Sequence, residues 1–192
     1  MKKIATLVAS CLFATNAWAT DYKIDPSHSS VVFRVKHLAI SYVPGRFTDL
    51  SGTFSFDPNN VAASKAAASV AVPSVNTADA KRDEHLKGPD FFDAAKYKDM
   101  TFSTTSIEPV SAENFKAHGN LTIRGVTKPV VLDVTFGGTA KDPWGNERAA
   151  FTATTKINRK DFGLTWSKAI ETGALVVGDE VNITLEIEGI KA

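Results

Sequence analysis

Apolar and polar residues alternate one by one through most of this chain, which restricts its regular structure largely to half-buried strands. Val31, Phe33 and Val35 alternate with Val32, Arg34 and Lys36, and Gly52, Phe54 and Phe56 with Thr53 and Ser55. Val70 and Val72 flank Ala71, and Ala117, Gly119, Leu121 and Ile123 alternate with His118, Asn120, Thr122 and Arg124. Val130, Leu132, Val134 and Phe136 enclose Val131, Asp133 and Thr135. Ala149, Phe151, Ala153 and Ile157 oppose Thr152, Thr154 and Lys156, while Val181, Ile183, Leu185 and Ile187 oppose Asn182, Thr184, Glu186 and Glu188. Successive strand side chains point to opposite faces, so each run turns one face to an apolar interior and one to water. Turn sequences such as Asp57-Pro58-Asn59-Asn60, Gly137-Gly138 and Asp142-Pro143-Trp144-Gly145-Asn146 part the runs.

Strands of this kind form antiparallel sheets that must close into a barrel or pair as a sandwich, because an open sheet leaves edges and an apolar face uncovered. The fold expected from the pattern alone is all-β, barrel or sandwich; a sandwich fills its own interior, whereas a closed antiparallel barrel of about eight strands can fill itself or hold one small ligand. The inward faces carry Gly52, Ala71, Ala117, Gly119, Ala149 and Ala153. Small inward residues leave room and favour a barrel that holds a ligand, although the same residues also serve tight bends and close packing.

One stretch breaks the alternation. Arg82-Asp83-Glu84-His85-Leu86-Lys87-Gly88-Pro89-Asp90-Phe91-Phe92 sets both signs of charge and a histidine against two adjacent phenylalanines. It predicts a short helical cap around residues 79–97, with Asp79 as N-cap and Gly88-Pro89 as the break. Such a cap fits the mouth of an apolar pocket, with Arg82 and His85 as candidate polar groups for a ligand head. The competing reading makes Arg82 a fastener of the cap and His85 a hydrogen-bonded structural residue. Ala62–Ala68 reads as a brief turn entering a strand, and Ser167–Glu171 as a second small cap.

The first residues bear on compartment. Lys2 and Lys3 precede an apolar run from Ile4 to Thr15, and Ala17-Trp18-Ala19 gives a small-x-small cleavage pattern. This is the layout of a secretory signal peptide over residues 1–19, cleaved after Ala19, and the run is too short to remain as a membrane span. The expected fate is export, with residues 20–192 as one domain. The single cysteine, Cys11, lies in the leader, so the mature chain has no thiol for disulfides, nucleophilic catalysis or metal binding. The 22 Lys and Arg nearly balance the 21 Asp and Glu. With no basic stripe, nucleic acid is not an expected partner. None of His28, His37, His85 and His118 sits in metal-ligand spacing, and no Gly-x-Ser-x-Gly elbow occurs. No metal, cofactor or catalytic residue is therefore expected, and Asp25-Pro26-Ser27-His28-Ser29 reads as a turn stabilised by its own side chains.

Six segments together carry a resemblance. They are Tyr22–Ser29 with Val31–Leu38 and Gly45-Arg46-Phe47; Ser74–Thr77 through Arg82–Leu86 to Phe91-Phe92; Gly119–Pro129; Asp142–Gly145; Arg159-Lys160-Asp161-Phe162-Gly163; and Val177–Val181. In this order and spacing they resemble the YceI-like family of exported bacterial proteins. The resemblance implies a lipocalin-like antiparallel barrel whose long apolar cavity binds polyisoprenoid chains, such as the tails of isoprenoid quinones or polyprenyl phosphates. It also implies a periplasmic location and a homodimer, and it supplies no catalytic activity. An isoprenoid needs a dry tube more than it needs hydrogen bonds, since each buried methylene contributes roughly 0.8 kcal/mol. Strand alternation nominates Phe33, Val35, Phe54, Leu121, Ile123 and Phe151 for the lining. Phe91, Phe92, Phe162, Leu164 and Trp166 are nominated from the cap and loops, with Arg82 and His85 toward the mouth. Two rival functions stand beside a carrier: a lipid-modifying enzyme using His85 with Asp83 or His28, and a scaffold whose Trp144 loop meets a membrane quinone-using cytochrome.

Overall fold

The computed structural model describes residues 19–168 and 175–192. The leader up to Trp18 and the Ala169–Glu171 part of the second expected cap lie outside the described residues. Eleven strands form one sheet: β1 Thr20–Ile24, β2 Ser30–His37, β3 Ser41–Phe47, β4 Leu50–Phe56, β5 Lys65–Ala71, β6 Val75–Asn76, β7 Asp99–Pro109, β8 Asn114–Ile123, β9 Val126–Lys141, β10 Glu147–Asn158 and β11 Val177–Lys191. Among the described residues one α-helix, α1 Ala80–Lys87, stands between β6 and β7.

The first six strands are three bent staves. β1 and β2 run along β11 in one direction, Ile24 opposite Gly189 and Ser30 opposite Glu186. The five residues between them bulge out, as the turn sequence required. Ser27 N–H donates to Asp25 Oδ1, and Ser29 Oγ exchanges hydrogen bonds with the Glu188 backbone. β3 and β4 lie along β2 and β1, and β5 and β6 along β4 and β3. With β7 to β11 the staves make a closed eight-stranded antiparallel barrel, because β1 pairs with both β4 and β11. Closure leaves the barrel no edge along its seam.

In an up-and-down barrel alternate connections share an end. The connections at 38–40, 77–98 and 124–125 and the described part of the last one, 159–168, therefore gather at one end, where α1 sits, and those at 57–64, 110–113 and 142–146 at the other. The inward faces are those the alternation indicated: Val31, Phe54, Phe56, Ala117, Ile123, Val134, Ala149 and Ala153 are all buried.

β7 is the stave that the alternation did not reveal. Its inward residues are Met100, Phe102, Thr104 and Ile107, and a bulge between Thr104 and Ser106 breaks the period. The expectation that glycines open the interior also needs correction. A Cβ on Gly119 would stand 2.5 Å from the Phe102 ring and one on Gly45 2.2 Å from the Phe33 ring. Each glycine is a seat on which an aromatic ring lies across the sheet. The room that remains comes from alanines, Ala66, Ala68, Ala117 and Ala153, which line the cavity.

Candidate functional site: an apolar tube under a latched cap

A cavity of about 290 Å³ runs inside the barrel, from Phe56 and Phe115 at one end to Leu86, Phe91 and Phe92 beneath the cap. Its wall is almost wholly carbon. The floor is a cluster of rings: Phe56 lies 4.7 Å from Phe136 and 5.0 Å from Phe151, and Tyr22 stacks on Phe54 at 4.9 Å. One polar atom near the floor stands out. The buried Ser64 Oγ has no hydrogen-bond partner among the described residues, and Ser64 lines the cavity.

Of the residues nominated from sequence, Phe33, Val35, Phe54, Leu121, Ile123 and Phe151 line this tube, as do Phe91, Phe92 and Leu164. The other four do not. Phe162 is buried in the core, and Trp166 packs against it from outside the tube. Arg82, on the cap, does not line the tube: its Nε donates to Thr77 Oγ1 at 2.8 Å and its Nη2 to the Thr77 carbonyl at 2.9 Å. It is a fastener, with a threonine as its partner. His85 Nε2 lies 3.0 Å from Asp90 Oδ2, and its ring meets Phe91 and Trp166 edge-on at 5.0 and 5.2 Å.

The cap forms for local reasons. Asp79 Oδ1 accepts from the amides of Lys81 and Arg82, an N-cap, and Gly88 ends the helix. The adjacent Asp83 carboxylate accepts from the Thr77 amide and hydroxyl, tying α1 to the end of β6. Two arginines that the sequence reading passed over complete the assembly. Arg124, at the turn between β8 and β9, donates to the Pro89 carbonyl and the Gly163 carbonyl, each at 2.7 Å, and so latches both segments that cover this end. Arg159 is buried and lines the tube. Its five N–H groups reach the carbonyls of Leu164, Trp166, Gly178 and Val177 and the Asp179 carboxylate. Burial pushes the Arg159 guanidinium below the ordinary arginine range, and Asp179 works against that shift. The only early signal for either was membership of an Arg-Gly or Arg-Lys-Asp-Phe-Gly turn.

The chemistry-bearing groups are scattered rather than convergent. Asp83 is held by Thr77, His85 faces Asp90, and His28 stands at the far end, with Nδ1 2.8 Å from Asp25 Oδ2. Asp25, His28 and Glu188 come close enough to share a cation. However, the Arg148 guanidinium already fills that place, bonding Asp25 at 2.8 Å, Glu188 at 2.6 Å and Asp142 at 2.9 Å. Arg148, and then His28, hold the Asp25 carboxyl below the usual carboxylate range. The Asn146 side chain, helped by Arg148, takes Asp142 down to about 2.

Comparison with known proteins agrees with this architecture. The chain is 41% identical to protein YceI of Escherichia coli O17:K52:H18 over 196 residues, covering 100% of this chain and 99% of the relative. The crystal structure of Burkholderia cenocepacia BcnA superposes with a TM-score of 0.76 at 26% identity, covering 86% of this chain and 98% of that one. A polyisoprenoid-binding domain from Saccharophagus degradans shares the fold, with a TM-score of 0.63 at 19% identity over 89% of this chain and 98% of its own. Residues 22–189 match the YceI-like domain, and the chain belongs to that family.

Proposed function

We propose that the protein is a periplasmic carrier or store for an isoprenoid lipid, an isoprenoid quinone or a polyprenyl phosphate, held by apolar burial without covalent chemistry. The observation that carries this reading is the tube itself. It is elongated, walled by Phe, Leu, Ile, Val and Ala, and closed at one end by rings. Burial of hydrocarbon at roughly 25 cal/mol per Å² favours a long chain lying along such a wall. The polyisoprenoid named for the Saccharophagus degradans domain is a ligand of this kind, and the export pattern of residues 1–19 supports the compartment. The test is solvent extraction of protein purified from its own periplasm, followed by mass spectrometry. A stoichiometric polyprenyl species is expected. An empty extract, together with failure to take up any member of a quinone or polyprenyl series, overturns the reading.

One observation favours a second reading, a scaffold for a membrane quinone-using protein. Trp144, in the turn between β9 and β10, is 82% exposed rather than tucked beneath its hairpin. If that turn docks a partner, Trp144→Ser removes the interaction in a pull-down while the bound lipid is kept. The enzyme reading gains no assembled constellation from the described residues, and His85→Ala is expected to leave lipid content unchanged.

A further inference from the structure

The turn joining β2 to β3 has an unusual composition for its shape. Three residues connect the paired His37 and Ser41, and His37 to Ile40 form a β-turn closed by the Ile40 amide donating to the His37 carbonyl at 3.1 Å. Its central residues, Leu38 and Ala39, have φ of 52° and 62°. Such a turn ordinarily takes Asn-Gly, because side chains other than Gly, Asn and Asp are strained there. Here two apolar residues occupy both places, and Ile40 beside them is 83% exposed. The Leu38 amide also donates to the Val176 carbonyl at 3.1 Å, so the tip is held in position. Leu38 is half-buried, but a tip that keeps Ala39 and Ile40 out in water, on a strained backbone, is a feature to explain by what it meets.

Its surroundings narrow the choice. The outer face of this hairpin presents Val32, Arg34 and Lys36 from β2 against Arg46, Pro44 and Tyr42 from β3. Arg34 and Lys36 lie over the Tyr42 ring at 4.9 and 5.8 Å, and Tyr42 is itself 44% exposed. Among the described residues none of these three cations has an ion-pair partner. The acids at the start of β11 are engaged elsewhere, Asp179 with Arg159 and Lys160, and Glu180 with Lys156. An exposed aliphatic tip, a tyrosine just behind it and a patch of cations without an ion-pair partner among the described residues form the sequence of groups that suits an anionic bilayer: aliphatic into the acyl boundary, aromatic at the interface, cations on the phosphates. The hairpin stands at the capped end, and Phe33 and Val35 on its inner face line the tube.

We infer that the β2–β3 hairpin attaches the protein transiently to an anionic lipid surface, presenting the capped end of the tube to the bilayer. The use of this attachment in loading rests on the carrier reading; the attachment itself does not. The experiment is flotation of the purified protein with vesicles of phosphatidylglycerol and phosphatidylethanolamine, and separately of phosphatidylcholine. Binding to the anionic vesicles alone is expected, with release near molar salt. Ile40→Asp and the double reversal Arg34→Glu/Lys36→Glu should each weaken binding by about tenfold or more, with melting temperature unchanged. Trp144→Ser, at the opposite end, should bind as the parent does. Absence of flotation, equal binding to both vesicle types, indifference to both hairpin variants, or loss on Trp144→Ser instead would each overturn the inference. Mass spectrometry of the same preparations separates the two readings. Lipid-free protein that still floats through its hairpin retains the attachment and removes the carrier, whereas lipid-loaded protein that never floats does the reverse.

Discussion

Asp25 shows how much of this protein depends on partners distant in sequence. As a turn residue it was legible, since Asp-Pro-Ser offers its carboxylate to a following amide, and Ser27 N–H indeed donates to it. Its second partner was not legible, because Arg148 lies 123 residues away and meets it only after the barrel closes. Both Asp25 and Asp142 have carboxyls lowered in the folded state, so their contribution to stability is full above the unfolded value near 3.9 and is lost as pH falls through the folded value, about 2 for Asp142. Replacing Arg148 with Met should therefore lower the melting temperature by several degrees at pH 7 and by much less at pH 2, measured by circular dichroism. Glycine 119 gives a prediction of the opposite kind. A Cβ there meets both the Phe102 ring and the Ser103 carbonyl at 2.5 Å. Gly119→Ala should destabilise by about 1–3 kcal/mol, the cost of overpacking, as read by urea denaturation. Ala153→Phe is expected to place a ring in the tube and abolish uptake of a polyprenyl ligand while the strand content by circular dichroism stays native.

At the level of elements, the strands that could be read were those with one dry and one wet face along their whole length: β2, β4, β8, β9, β10 and β11. β7 escaped because its bulge shifts the period midway, β1 and β6 because they are short, and β3 because its sequence, Ser41-Tyr42-Val43-Pro44-Gly45-Arg46-Phe47, does not alternate. The helix was legible for the reverse reason, since its cap and break are local chemistry. The position of the tube followed from alternation, so all six residues nominated on that ground line it, and Phe91, Phe92 and Leu164 from the cap and loops line it as well. Arg82, His85, Phe162 and Trp166 were nominated from segments without a period, where nothing in the sequence says which way a side chain points. The latch was invisible for the same reason. Arg124→Ala removes two hydrogen bonds from a cationic donor, each worth about 1.5–3 kcal/mol. It should raise amide exchange across residues 80–97 and speed ligand release, leaving the protection of β8 to β11 intact.

For the whole molecule, the interior is left partly empty, and a protein that binds a ligand only when folded is stabilised by it. Extracting the lipid should lower the melting temperature. At a free ligand level of about 100 Kd the linkage is worth about 2.7 kcal/mol, or roughly 5–11 °C for a domain of this size. An unchanged melting temperature after complete extraction would count against a resident lipid. The barrel also has a history written into its seam. Its first strand, β1, has one neighbour in β4 and the other in β11, through Tyr22 opposite Lys191 and Ile24 opposite Gly189. The earliest stave made is thus completed only by the last. A growing chain therefore has no way to finish its barrel until Val177–Lys191 has been made and has come to lie along β1.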